Sequence, residues 1–363
     1  MIRERSVSRE FGRGKGRTKR MEKEVVWIDG RDPRLGLCGC AGGEAYCRFS
    51  AEEREALKKV NPDEAYLSTN PAGVMLRFFT DSPIVAVRGK VERPSDMTHM
   101  PASGQSGFDL YVRDSRVGGY AFRGNVRPAA GSVDFEGEFP SFAESTGKIC
   151  LLYLPLYNGV ERLEVGLQAS SECAPEKFKG GRIAVYGTSI AQGGCVSRPG
   201  MLFTSILSRA LEKEVLNYGF SGSAFAEREI AEIIAKRDVE LLVVDVEANA
   251  GVDERMENNL PAFLDCYFAV RPDVPVILVS RNAFAMDLYD EDRIKLHLYY
   301  RRWLPRLAAR YARAGRKVVF ADGSSFFRGN FTEYTVDGVH PNDYGSVALA
   351  AAYCRRIKKV LAL

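Results

Sequence analysis

The chain has 363 residues, more than one hydrophobic core usually organises, so two domains or one large α/β domain with an insertion are expected. With 45% hydrophobic and 27% charged residues, and 34 Gly and 16 Pro spread along the chain, a fibrous, low-complexity or wholly disordered protein is excluded. The formal net charge of +4 hides an uneven distribution: eight of the 51 Lys/Arg and two of the 47 Asp/Glu lie in residues 1–20, leaving 43 basic and 45 acidic residues beyond them.

The first segment, 1–24, is therefore expected to be a basic disordered tail. It has no aromatic residue beyond Phe11 and no nucleic-acid module follows it, so no nucleic-acid partner is expected. It also lacks the roughly 7–15-residue apolar core of a secretory signal. No later run approaches the roughly 18 uncharged apolar residues of a membrane span, 241–246 being among the best. The expectation is a cytoplasmic protein without membrane attachment, its eight cysteines reduced, with Met21 a second candidate start beside Met1. Cys38, Cys40 and Cys47 cluster in sequence but have no paired C-x₂-C knuckles and no nearby His, so no metal site is expected there.

From 25 to 175 short β-type runs alternate with turn residues: 74–79, 83–91, 109–112, 120–122, 133–135, 148–156 and 162–167, with a helix-like interruption at 51–60. This pattern predicts an antiparallel β-sandwich accessory domain. Residues 172–181, with Pro175 and Gly180-Gly181, read as the linker.

Within the last stretch, 176–363, the period changes. Compact apolar runs at 182–186, 214–217, 241–246, 274–279 and 317–321 alternate with helical patterns at 201–211, 227–236, 254–270, 291–314 and 344–361. Buried strands alternating with helices imply βαβ crossovers and a parallel sheet covered on both faces, a three-layer α/β/α domain. Such sheets present ligands at the carboxyl ends of their strands. There stand Ser189 in G-T-S-I, Gly222 in N-Y-G-F-S-G and Asn249 in E-A-N-A, while Asp337 and His340 in D-G-V-H-P-N precede the last helix.

That set suffices for acyl transfer. His340 can take the proton of Ser189 if Asp337 holds the imidazole in the right tautomer. The main-chain N–H groups of Ser189 and Gly222 and the Asn249 amide can receive the oxyanion, each worth roughly 2.7–4 kcal/mol by analogy with other oxyanion holes. No cofactor or metal is required, and activity is expected to rise with pH through a base of roughly 6.5–7. His297 reads as packing or surface and His99 as a loop residue.

These blocks resemble those of the SGNH (GDSL-type) hydrolases, whose four blocks carry Ser, Gly, Asn and His. The third block departs from the common G-x-N-D, with Ala248 and Ala250 around the Asn. Ala191 stands two after the serine, where the G-x-S-x-G of α/β-hydrolases has glycine. Upstream, His99-Met100-Pro101 and Gly107-Phe108-Asp109-Leu110-Tyr111 look like the G-x-D-L-Y signature of the β-rich domain preceding one SGNH subgroup, and 193–200 resembles that subgroup's extended first block. The resemblance implies an acylhydrolase acting on a small-molecule or glycan ester, its acyl group short and by expectation acetyl. Asp109 is expected as an interdomain pin or a substrate contact, and Arg198 as a substrate contact or a tie for the nucleophile loop. Acyl transfer to a hydroxyl acceptor and a catalytically silent carbohydrate-binding protein are the alternatives.

Overall fold

The computed structural model describes residues 24–40, 46–140, 146–251 and 253–363. The expected tail, apart from Glu24, lies outside them.

The first half contains strands β1 (Val25–Asp29), β2 (Leu37–Cys38), β3 (Met75–Thr80), β4 (Val85–Val91), β5 (Phe108–Asp114), β6 (Gly119–Val126), β7 (Asp134–Glu138), β8 (Lys148–Tyr153), β9 (Val160–Gln168) and β10 (Cys173–Pro175). One sheet runs β1-β9-β4-β7 and the other β10-β3-β8-β5-β6, with β2 beside β3, and all their pairings are antiparallel. Alternate side chains, such as Val85, Val87, Leu163 and Val165 from one sheet and Leu76, Phe78, Leu110 and Leu152 from the other, close the core between them. Strand β1, at the edge of its sheet beside β9, is not among the runs read from the sequence: Val25 to Ile28 are all apolar, without the alternation of a half-buried strand. Part of the expected linker is strand, since Cys173 pairs with Thr80.

The second half carries β11 (Ile183–Gly187), β12 (Val215–Gly219), β13 (Leu241–Asp245), β14 (Val276–Val279) and β15 (Val318–Ala321) in the order β12-β11-β13-β14-β15, all parallel. These strands are apolar on both faces, so both need cover. Ala184, Tyr186, Leu242 and Val244 face one layer and Ile183, Val185, Leu241 and Val243 the other. Numbering helices along the chain, α1 is Ala51–Lys58, α2 Pro62–Leu67, α3 Ala102–Gln105, α4 Ser189–Gln192, α5 Phe203–Leu211, α6 Arg228–Ala235, α7 Arg255–Val270, α8 Glu291–Arg313 and α9 Asp343–Leu361. The first layer is α6, α7 and α8; the second is α5 and α9. Among the described residues no helix is long and apolar enough to cross a membrane.

Although they precede most of the sandwich in sequence, α1 and α2 belong physically to the α/β half. Ser50 and Glu53 cap α1 reciprocally, and Phe49, Leu57 and Ala65 join the core under α6 and α7. Phe49 stacks on Tyr218 with ring centroids 5.3 Å apart. Arg48, fully buried, donates to the carbonyl of Gly219 at 2.6 Å. Tyr186 reaches across to Glu64 of α2.

Candidate active site

Strand order sets the position of the site. The chain leaves β11 for β12 on one side and then returns past β11 to β13, so β11 sits where the sheet's connectivity reverses, the place where open α/β sheets form a crevice. Gly187 at the end of β11 lies in register with Gly219 of β12 and with Asp245 of β13. Ser189, Gly222 and Asn249 follow that one row by two, three and four residues, which brings three segments distant in sequence to one edge.

Ser189 opens α4, with Thr188 as its N-cap. The tight passage from β11 into α4 requires glycine on the neighbouring strand: a Cβ on Gly219 would stand 2.1 Å from the Gln192 nitrogen. Ser189 is 8% exposed, and its Oγ lies 2.8 Å from His340 Nε2. His340 Nδ1 in turn meets Asp337 Oδ2 at 2.6 Å. The backbone N–H groups of His340 and Val339 donate to Asp337 Oδ1 at 2.8 and 3.0 Å. Burial alone would push this carboxyl up, but the His340 and Val339 hydrogen bonds outweigh it and hold Asp337 below the usual carboxylate range.

Gly222 adopts a φ of +72°, and the space beside its Cα is open, so the loop can bring its N–H close to a reacting group. Among the described residues neither the Ser189 nor the Gly222 N–H donates a hydrogen bond. The Asn249 amide donates to Ala224 O at 3.2 Å, tying the third block to the loop that carries Gly222, with its other N–H left over. Two residues without an expected role hold this loop. Gln192 accepts from Ser221 N at 2.9 Å and donates to Leu156 O of the sandwich half, and Asn61, the N-cap of α2, donates to Ser223 O at 2.8 Å.

The altered third block is anchored by its glutamate. Glu247, buried, meets His297 Nδ1 at 2.5 Å and accepts from Arg281 N at 3.0 Å. The Arg281 guanidinium grips Asp287 bidentately at 2.8 and 2.7 Å. In the same turn Ala285 N donates to Gly338 O, between Asp337 and Val339. A buried ionic chain from Glu247 through Arg281 to Asp287, continued by this main-chain hydrogen bond, thus links the Asn249 turn to the Asp337–His340 loop. His297 is correspondingly 3% exposed and part of this chain, not a surface residue.

Asp109 lies at the junction of the two halves. It is fully buried, and its oxygens accept from Asn125 Nδ2 at 2.7 Å, Arg198 Nη1 at 2.9 Å and Gly200 N at 2.8 Å. Burial raises its pKa despite these partners. Arg198 is committed to the same junction: it donates to Tyr111 Oη at 2.6 Å and lies 3.7 Å over the Phe122 ring. Both side chains tie the two halves together.

His99, by contrast, stands exposed with its ring centroid 6.4 Å from that of His340. It lines a cleft of about 550 Å³ shared by Asp63, Tyr66, Arg93, Tyr157 and Ser221, the last adjoining Gly222. A larger cavity of about 1040 Å³, beside Tyr120, Arg209 and Glu212, touches none of the reactive residues. The smaller cleft does not include the reactive residues themselves either; it adjoins them through Ser221, next to Gly222, and through His99, whose ring neighbours that of His340. Among the described residues no group of possible metal ligands includes Cys38, Cys40 or Cys47; Cys38 Sγ donates to Gly36 O, and burial pushes its thiol up to about 12.

Residues 180–358 match the GDSL-like lipase/acylhydrolase family and residues 27–173 match the N-terminus of SGNH hydrolase-type esterases. Among solved structures, a protein assigned as a GDSL-like lipase from Bacteroides ovatus is 26% identical, covering 93% of this chain and 98% of its own, with a TM-score of 0.85. A salicylyl-acyltransferase from a tetracycline biosynthetic pathway is 20% identical over 93% of this chain and 98% of its own, with a TM-score of 0.77. A family two carbohydrate esterase from Clostridium thermocellum, in complex with cellohexaose, shares the fold at 14% identity and a TM-score of 0.57, covering 80% of this chain and 92% of its own. No curated protein matches the sequence. Between them the two matched stretches account for nearly all the described residues, and the chain belongs to the GDSL-like lipase/acylhydrolase family as an SGNH-type hydrolase with the GxDLY N-terminal domain.

Proposed function

We propose that the protein is a serine esterase that removes a short acyl group, acetyl in the simplest case, from a small carbohydrate-type ester. The observation that carries this reading is the continuous hydrogen-bonded path from Ser189 Oγ through the His340 ring to Asp337, at 2.8 and 2.6 Å. His340 Nε2 accepts the hydroxyl proton as Ser189 Oγ attacks the acyl carbon, and Asp337 stabilises the imidazolium that results. The oxyanion is received by the free N–H groups of Ser189 and Gly222 and the remaining N–H of Asn249. The imidazolium then protonates the leaving alcohol, and water, activated by the same base, releases the acid and restores Ser189.

A carbohydrate-type leaving group is favoured by the polar lining of the cleft at His99, Arg93 and Asp63 and by its volume of about 550 Å³, roomy enough for a sugar. A hydroxyl acceptor in place of water is the second reading, since the same cleft has room for one and the covalent intermediate serves both. Hydrolysis of p-nitrophenyl acetate and fluorophosphonate labelling, compared between wild type and Ser189→Ala, test the mechanism. Both signals vanish together in the variant if Ser189 is the nucleophile; turnover that persists in the variant rejects it. Acetylated sugars, with and without added alcohols, then separate hydrolysis from transfer.

A further inference from the structure

Beside the reactive pair stands a thiol with no role in acyl transfer. Cys195 is 5% exposed and has a φ of +70°, a left-handed conformation that costs a non-glycine residue about 1 kcal/mol or more. It follows Gly193 and Gly194, and Gly194 lies against the His340 ring: a Cβ there would be 3.1 Å from His340 Cδ2. This path places Cys195 Sγ, a carboxylate oxygen of Asp337 and a ring nitrogen of His340 all within 4.8 Å of one another. Asp337 and His340 keep 37% and 24% of their side chains exposed, so an ion can reach the group from solvent.

We propose that Cys195, Asp337 and His340 form an inhibitory site for a thiophilic divalent cation, Zn²⁺ first among them. Tetrahedral zinc bound through S, N and O would hold its donors roughly 3.3–3.6 Å apart, so the three groups need only small side-chain rotations. The donor set also matches the ion in charge. A Cys195 thiolate and the Asp337 carboxylate neutralise the two positive charges, while His340 binds as a neutral imidazole and water completes the shell.

Binding would disable the base by changing its tautomer, a consequence that rests on the esterase reading above. In the acyl-transfer arrangement the His340 proton sits on Nδ1, facing Asp337, and the Nε2 lone pair faces Ser189. Zinc takes the Nδ1 lone pair, the ring proton moves to Nε2, and Ser189 Oγ then faces a donor that cannot accept its proton. The thiol proton leaves to solvent, so one proton is released per ion bound. In the metal-free protein burial, with the Asp337 charge adding to it, pushes the Cys195 thiol up to about 12, so it stays protonated and does not rival Ser189 as nucleophile.

The test titrates the full-length protein with Co²⁺, reading the thiolate-to-cobalt charge-transfer band, and with Zn²⁺, reading p-nitrophenyl acetate hydrolysis. Wild type is expected to show the band and to lose turnover reversibly on zinc addition, with recovery in EDTA. Cys195→Ala is expected to keep its basal rate, to lose the band, and to need roughly tenfold more zinc or greater for half-inhibition. Cys195→Gly, which accepts the φ of +70° without strain, is the second variant should the alanine chain fold poorly. An unchanged band and unchanged zinc sensitivity in a folded variant overturn the proposal, as does a wild type without the band. Because the band is read without turnover, an absence of esterase activity leaves the binding result standing by itself.

Discussion

Asp109 Oδ2, on strand β5 of the sandwich, accepts hydrogen bonds both from Arg198 Nη1 and from Gly200 N, nine and eleven residues beyond Ser189. The accessory half therefore holds the loop that follows the nucleophile by a fully buried carboxylate. Removing the charge leaves Arg198 without its counter-ion. Asp109→Asn is expected to lower stability by about 3 kcal/mol, in the range for breaking a buried pair, with KM essentially unchanged in the folded protein. Urea unfolding and steady-state kinetics check this; a raised KM with unaltered stability would return Asp109 to the role of substrate contact.

Glu247 acts on Asn249 through position alone. Glu247→Gln weakens its contacts with both His297 and Arg281, freeing the turn that aims the Asn249 amide. Because small misplacements at a reacting centre cost about a hundredfold, kcat is expected to fall ten- to hundredfold with KM little changed. Asn249→Ala should fall by roughly 10²–10³, the loss typical of an oxyanion donor. Activity unaffected by Glu247→Gln in a folded chain would remove the positioning role.

The proximity of His99 to His340 makes a substrate-size prediction. His99→Ala is expected to raise KM several-fold for acetylated sugars, whose leaving group fills the shared cleft, and to leave p-nitrophenyl acetate turnover nearly unchanged. Equal effects on both substrates would count against this cleft as the leaving-group site.

Asp245 supplies a pH dependence of stability. Burial pushes this carboxyl, at the end of β13, up to about 7, despite the hydrogen bond donated by Tyr353. Its folded value lies above the unfolded one, so the folded state holds the proton more tightly. Stability is full below about pH 4 and is lost progressively as pH rises toward 7. In Asp245→Asn this component disappears, and the wild-type Tm should fall relative to the variant between pH 4.5 and 7.5 by calorimetry. Parallel curves would contradict the assignment.

What was legible in the sequence and what was not divide along sequence separation. Ser189, Gly222 and Asn249 could be placed together because each lies just past a short buried strand, and parallel strands carry such ends to one edge. Asp337 and His340 could be paired because they are three residues apart in a turn. Arg48, Asn61 and Gln192 gave no such signal: their partners, Gly219, Ser223 and Ser221, lie between 29 and 171 residues away, and nothing local distinguishes a side chain that caps a distant loop. Glu247 was adjacent to Asn249 all along, but its meaning depends on Arg281 and His297, which only packing brings to it. For Asp109 the sequence permitted two readings, and its burial against Gly200 and Arg198, visible only in the packing, favours the interdomain pin.

The docking of α1 and α2 on the parallel sheet bears on how such a chain can change over evolutionary time. A cut at the connection between β10 and β11 would look neutral along the sequence. In space it would strip Phe49 and Arg48 from Tyr218 and Gly219 and bare the apolar flank of the α/β half, while the sandwich would carry away two helices with nothing to cover. The two halves are therefore poor candidates for independent shuffling, and new specificities in this architecture are expected to arise by substitution within the shared cleft rather than by exchange of the accessory half.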